Sequence, residues 1–239
     1  MANYALLMMA GSGQRVGASI PKQFIEINGK PIFVYILKAL AMLDSIDSIV
    51  IVVHPDWIEY TRQCCRNEAI GKIQDIVAGG ATRSNSVLNG LNKLNEFAAA
   101  KDVVMIFDAT HPYVDAVGIK HLITAVKQYG GATLGQRQYD TCYRIDENDM
   151  LTEIIPRKTV VSGASPEGFL FHIIHTIYTQ ASQEELEQMT SAGAIALAHH
   201  VKMKICSLNT INLKITYPQD VAILKKIISI YFPEKDNEK

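Results

Sequence analysis

The chain has 239 residues, 48% of them hydrophobic, with 23 Lys and Arg against 24 Asp and Glu for a net charge of −1. That length suits one sizeable α/β domain spanning residues 1–239, and the balanced charge excludes a polybasic surface for nucleic acid or an anionic membrane. Cys64, Cys65, Cys142 and Cys206 show neither Cys-x-x-Cys spacing nor a pairing framework, and no signal-like start or apolar run of ~18 residues occurs, so a reduced, cytoplasmic protein is expected.

The apolar run Tyr4–Met9 predicts a strand that empties into Ala10, Gly11, Ser12 and Gly13, a loop whose glycines expose backbone N–H groups to an anion. Arg15 follows, then Pro21, Lys22 and Gln23, which puts two fixed cations beside that loop. The spacing is neither the dinucleotide fingerprint nor a Walker loop. A helix over 32–43, a strand over 48–53 ending at His54-Pro55, a helix over 56–67 and a strand over 73–77 ending at Gly79-Gly80 come next. After them stand a helix over 84–98, a strand over 102–107 ending at Asp108, a helix over 117–129 and a strand over 132–134. This alternation predicts a doubly wound, mostly parallel sheet with helices on both faces. Four polar sites then meet at the carboxyl ends of the strands, where such sheets bind ligands.

Two short alternating runs around Asp146-Glu-Asn-Asp149 predict a β-hairpin within about 136–161, folded on its own domain or reaching a second one. Residues 218–230 read as a closing helix and 233–239 as a charged tail.

The chain resembles a family of nucleotidyltransferases on the residues Ala10-Gly-Ser-Gly-Gln-Arg15, Pro21-Lys-Gln23, Gly79-Gly-Ala-Thr-Arg-Ser-Asn-Ser86, Asp108-Ala-Thr-His-Pro112, Tyr139-Asp-Thr141, Arg157, Ser165-Pro-Glu167 and Asn212-Leu-Lys214. The family is that of the methylerythritol-phosphate and ribitol-5-phosphate cytidylyltransferases, which make CDP-activated compounds from CTP and a polyol phosphate. The resemblance implies a Rossmann-like nucleotidyltransferase fold with Arg15, Lys22 and Lys214 as the catalytic cations. It implies Ala10, Gly11, Ser12, Gly13, Gly80, Ala81, Arg83 and Ser86 around the nucleotide. It further implies Thr141, Arg157, His111 and Thr190 toward the acceptor phosphate, and a homodimer whose β-arm embraces the second subunit.

The chemistry accords with these residue types. Transfer of CMP to a phosphate monoester brings anions together, so the protein must neutralise and align them. Arg grips two oxygens where Lys acts as a point charge. Asp108 at a strand end suits Mg²⁺ or another divalent cation, and equally suits a helix N-cap. Ser84 reads as the cap of the helix beginning there. Lys214 reads as one face of an alternating strand, with Leu213 and Ile215 on the other.

Departures from the family pattern gather on the acceptor side: His111 replaces an arginine, Glu167 a glutamine, Ser191 an aspartate, and Ala81 an acidic residue near the base. A protonated His111 still meets an anion near neutral pH. The expected acceptor is therefore an alditol or sugar phosphate, of the kind used for cell-surface polysaccharides, with methylerythritol 4-phosphate as the alternative. Two rivals stand beside it: a degenerate protein that binds CTP or CDP without turnover, and an NAD-binding domain, which lacks its third glycine and its ribose-binding acid.

Overall fold

The computed structural model describes residues 1–11 and 20–231. The first half follows the expected alternation: β1 (Asn3–Met9), the short pair β2 (Glu26–Ile27) and β3 (Lys30–Pro31), α1 (Ile32–Ala41), β4 (Ser48–Val53), α2 (Ile58–Asn67), β5 (Ile73–Ala78), α3 (Arg83–Leu94), β6 (Val103–Asp108) and α4 (Ala116–Tyr129). The second half comprises β7 (Gly131–Arg137), the hairpin β8 (Cys142–Ile145) and β9 (Leu151–Ile155), β10 (Val161–Leu170), α5 (Phe171–Gln180), α6 (Gln183–Gln188), α7 (Ala192–Ala198), β11 (Met203–Ser207) and α8 (Pro218–Tyr231).

Seven of the described strands form one sheet in the order β11-β7-β10-β6-β1-β4-β5. β1 pairs in parallel with β4 and β6, β4 with β5, and β7 with β11. β10 runs antiparallel to both its neighbours. The near-continuous apolar runs have a physical reason, since both faces of the central strands are buried. Ala5, Leu7 and Met9 of β1 join α1, α2 and α4 in one core layer, while Tyr4, Leu6 and Met8 join α3, α5 and α7 in the other. β4 and β6 alternate between the layers in the same way, because successive side chains leave a strand on opposite faces. A third, smaller cluster seats Leu224 and Ile228 of α8 against Ile32 and Tyr35 of α1.

Three local expectations change. Thr82, not Ser84, caps α3, its hydroxyl accepting the Asn85 N–H at 3.1 Å, and Ser84 is buried on the helix. Asp108 is the last residue of β6 and not a cap; that role in the following helix falls to Asp115, which accepts the Gly118 N–H at 2.9 Å. Lys214 lies in an irregular segment between β11 and α8, not in a strand. That segment is pinned at several points. Asp115 also accepts the Asn209 N–H at 2.7 Å, Ile215 donates to the Thr110 carbonyl at 2.9 Å, and Asp220 accepts the N–H groups of Thr216 and Tyr217.

Candidate active site

The chain order reverses between β1 and β6: β4 and β5 follow β1 outward on one side, and β6 returns to its other side. Ligand crevices of open α/β sheets form at such a point, beyond the carboxyl ends of the strands. Two clefts open there. The larger, about 670 Å³, is lined by Ala10, Gly11, Lys22, His54, Gly80, Ala81 and Ser86 among others. The smaller, about 360 Å³, is lined by His111, Ser165, Glu167, Thr190, Ser191 and Asn212 among others. Arg83, Asp108 and Lys214 line both and form their common wall.

The larger cleft is built by two loops held in close register. Gln23, buried in the 3₁₀ turn Lys22–Phe24, donates from its amide to the carbonyls of Met9 and Gly11 at 2.7 and 2.9 Å. Phe24 stacks on Trp57 with ring centroids 4.2 Å apart and meets Phe33 edge-on, which anchors the turn that carries Lys22. Lys22 in turn donates to the Ile215 carbonyl at 2.6 Å. On the facing loop, the Ser86 hydroxyl donates to the Thr82 carbonyl and accepts the Gly80 N–H at 3.0 Å, so Ser86 shapes the loop. Gly79 is required by proximity, for a Cβ there would stand 2.3 Å from the Ala10 Cβ.

Charge is concentrated in the common wall. One oxygen of Asp108 accepts from the Arg83 guanidinium at 3.1 Å and the other from the Lys214 ammonium at 2.8 Å. Burial alone would raise the Asp108 carboxyl, but Arg83, Lys214 and His111 hold it well below the usual carboxylate range. Its N–H donates to the Ser165 hydroxyl at 3.0 Å, which fixes the strand end against β10. His111 Nδ1 lies 3.8 Å from Asp108. Burial nonetheless pushes the imidazole down to about 4, with Lys214 and Lys22 adding to the effect against the pull of Asp108. Desolvation thus outweighs the single nearby carboxylate and disfavours the His111 cation expected near neutral pH.

Of the residues expected in the site, Ala10, Gly11, Lys22, Gly80, Ala81, Ser86, Arg83, Asp108 and Lys214 come together around the larger cleft, and His111 and Thr190 around the smaller. Arg83 lines the larger cleft as expected, and its guanidinium also pairs with Asp108 at 3.1 Å. Ser12, Gly13 and Arg15 lie outside the described residues. Thr141 and Arg157 are on the exposed arm and line neither cleft; Arg157 donates to the Tyr139 carbonyl at 2.7 Å. The structure also gives work to Gln23 and Glu167, neither of which had been assigned any. The signals were present, Gln23 inside the Pro-Lys-Gln motif and Glu167 as a charged departure on the acceptor side.

A family model described as 2-C-methyl-D-erythritol 4-phosphate cytidylyltransferase matches residues 4–229. The 2-C-methyl-D-erythritol 4-phosphate cytidylyltransferase of Thermotoga neapolitana is 30% identical, over 94% of this chain and 96% of that protein. The ribitol-5-phosphate cytidylyltransferase of Vibrio parahaemolyticus is also 30% identical, over 95% of each. Among solved structures, the 4-diphosphocytidyl-2C-methyl-D-erythritol synthase of Anaerococcus prevotii superposes with a TM-score of 0.79 at 21% identity, over 95% of this chain and 96% of that one. The Francisella tularensis 2-C-methyl-D-erythritol 4-phosphate cytidylyltransferase gives 0.76 at 22%, over 95% and 99%. These two likenesses establish the shared α/β fold.

Proposed function

The chain belongs to the family of CTP-dependent cytidylyltransferases that includes the 2-C-methyl-D-erythritol 4-phosphate and ribitol-5-phosphate enzymes, and from that membership we propose that its larger cleft takes CTP and its smaller cleft a polyol phosphate. The observation that carries the proposal is the common wall: Arg83, Asp108 and Lys214 face both clefts, where the nucleotide's α-phosphate and the acceptor phosphate must meet. An oxygen of the acceptor phosphate attacks the α-phosphorus, the new P–O bond forms, and the bond to pyrophosphate breaks. Lys22 and Lys214 neutralise the charge that spreads over the phosphate oxygens. The backbone of Ala10 and Gly11, which lines the larger cleft, suits the triphosphate, and that of Gly80 and Ala81 the base.

The donor set fits a divalent cation. Asp108 offers hard carboxylate oxygens at the wall, and Mg²⁺ takes one or two carboxylates with phosphate oxygens and water. Asp108 would hold the ion, with Arg83 and Lys214 released from it to the phosphates. When bound, the ion supplies further neutralisation of the triphosphate.

The comparisons favour 2-C-methyl-D-erythritol 4-phosphate as the acceptor, since the family model bears that activity in its description and so do four of five relatives that are at least 30% identical. That ordering reverses the expectation drawn from the sequence. An alditol phosphate such as ribitol 5-phosphate is the second reading, favoured by the departures from the family pattern that line the smaller cleft, His111, Glu167 and Ser191. Pyrophosphate release from CTP and Mg²⁺ with each acceptor separates the two. Tight CTP binding with no release from any polyol phosphate would instead mean a binding protein.

A homodimer is part of the same reading. The arm of β8 and β9 exposes Tyr139, Met150, Leu151 and Ile154, each at least 65% accessible, and carries Thr141 and Arg157 away from its own clefts. Docked on a second copy, that arm would bury its apolar residues and bring the Arg157 guanidinium to the acceptor phosphate.

A further inference from the structure

We propose that Glu167 is the acceptor-selecting residue of the smaller cleft, its carboxylate taking hydrogen bonds from the hydroxyl end of a polyol phosphate. The inference rests on the reading of that cleft as the acceptor site. It concerns a group for which phosphate transfer has no use, because a carboxylate in a cleft meant for an anion opposes binding unless it faces the uncharged part of the ligand.

The carboxylate is held by design. β10 carries an irregularity between Ala164 and Glu167 in its pairing with β7, which breaks the regular register just where the strand passes the cleft. Glu167 then reaches the first residues of α7. Its Oε1 accepts the Gly193 N–H at 2.9 Å and its Oε2 the Ala192 N–H at 3.1 Å. Gly193 makes this approach possible, since a Cβ there would stand 2.5 Å from Oε1. The N–H groups fix both oxygens, yet an ionised carboxylate has about four lone-pair sites, so each oxygen keeps acceptor capacity.

Position within the cleft decides which part of the ligand it meets. Glu167, Thr190 and Ser191 line the smaller cleft alone, whereas Arg83, Asp108 and Lys214 are shared with the nucleotide cleft. The acceptor phosphate must lie at the shared wall to reach CTP. The hydroxyl-bearing carbons therefore extend toward Glu167, in the cleft that Thr190 and Ser191 also line. A carboxylate accepts from a hydroxyl strongly and leaves a deoxy position unmatched, so this wall selects for a hydroxyl at the end remote from phosphate.

The test uses the full-length protein with CTP, Mg²⁺ and two pairs of probes: ribitol 5-phosphate and 2-C-methyl-D-erythritol 4-phosphate, each with its 1-deoxy analogue. Wild type should prefer the hydroxylated member of whichever pair it turns over by about tenfold or more in kcat/KM. Glu167→Gln should raise the acceptor KM by about that factor and erase most of the preference, while the KM for CTP holds. Gly193→Ala, which displaces the carboxylate without changing its chemistry, should weaken the preference in the same direction. A merely structural cap would lower the melting temperature of both variants and leave the preference intact, and that result overturns the inference. No turnover of any acceptor by wild type would overturn the function and this inference together. Turnover with equal preference in wild type and Glu167→Gln would overturn this inference alone.

Discussion

Lys22 donates to the carbonyl of Ile215 at 2.6 Å, so the lysine of the N-terminal loop is tied to the residue next to Lys214 in one pinned segment. Two cations contributed from sequence positions almost the whole chain apart are thus held as a pair. Lys22→Ala and Lys214→Ala should each lower kcat about a hundredfold, or ~3 kcal/mol, the scale of one lost contact to developing charge. Steady-state pyrophosphate release checks this, with circular dichroism to show the fold retained. Near wild-type rates in both variants would remove the lysines from the chemistry.

Asp108→Asn should raise the Mg²⁺ concentration needed for half-maximal rate several-fold, since an amide is a weaker ligand than a carboxylate. The substitution also leaves Arg83 and Lys214 facing each other without their shared anion. A metal titration reads the first effect. An unchanged requirement would make Asp108 a purely electrostatic partner of the two cations.

Gly79→Ala drives a methyl into Ala10 and must part the two nucleotide loops. Its KM for CTP should rise about tenfold or more, with the acceptor KM much less affected. Isothermal titration with CTP gives the same comparison without turnover.

Because burial lowers His111 to about 4, the folded state prefers the neutral ring. Stability from this group is complete above the ordinary histidine range near pH 6.5 and is lost as pH falls toward 4, by up to ~3 kcal/mol. The depressed Asp108 carboxyl acts in the same direction, its contribution being lost below the usual carboxylate range. Thermal melts from pH 8 to 4 should show the fall, and His111→Asn should reduce the part between 6.5 and 4. The acceptor KM, in contrast, should not rise between pH 6 and 8 on account of His111. A rise cancelled by His111→Arg would contradict the neutral ring.

Removing Tyr143–Ile154 should convert a dimer to a monomer in sedimentation, and Arg157→Ala should raise the acceptor KM at every pH. An unchanged mass, from a wild type shown to be dimeric, would mean that the arm stays on its own subunit.

The first half of the fold is legible because its central strands are buried on both faces and its helices on one, which makes Ser48–Val53 a continuous apolar run and Ile58–Asn67 an amphipathic one. The loops of the larger cleft are legible because each follows an apolar strand, β1 or the edge strand β5. Beyond the hairpin the pattern fails. β10 contains Gly163, Pro166 and Gly168 and pairs across an irregularity, so it lacks the β-branched run that marks a strand. α6 and α7 have six and seven residues, too few to show a helical repeat. Lys214 had the alternating neighbours of a strand, yet its segment is fixed by side chains such as Asp115 and Asp220, whose reach no local pattern records. The environment of His111 is likewise not legible, because burial and the charges facing it, which shift its titration, come from distant segments.

The pairing of Asp108 with both Arg83 and Lys214 gives the ligand-free protein its own internal counter-ions. On the proposed reading, a phosphate arriving at the wall would exchange one set of partners for another and would not fill bare charge. Affinity at that wall is then a difference between two nearly matched states, and ionic strength should alter the speed of arrival more than the strength of holding. The same exchange run backwards, Asp108 reclaiming its cations, gives the departing product a competitor already in place.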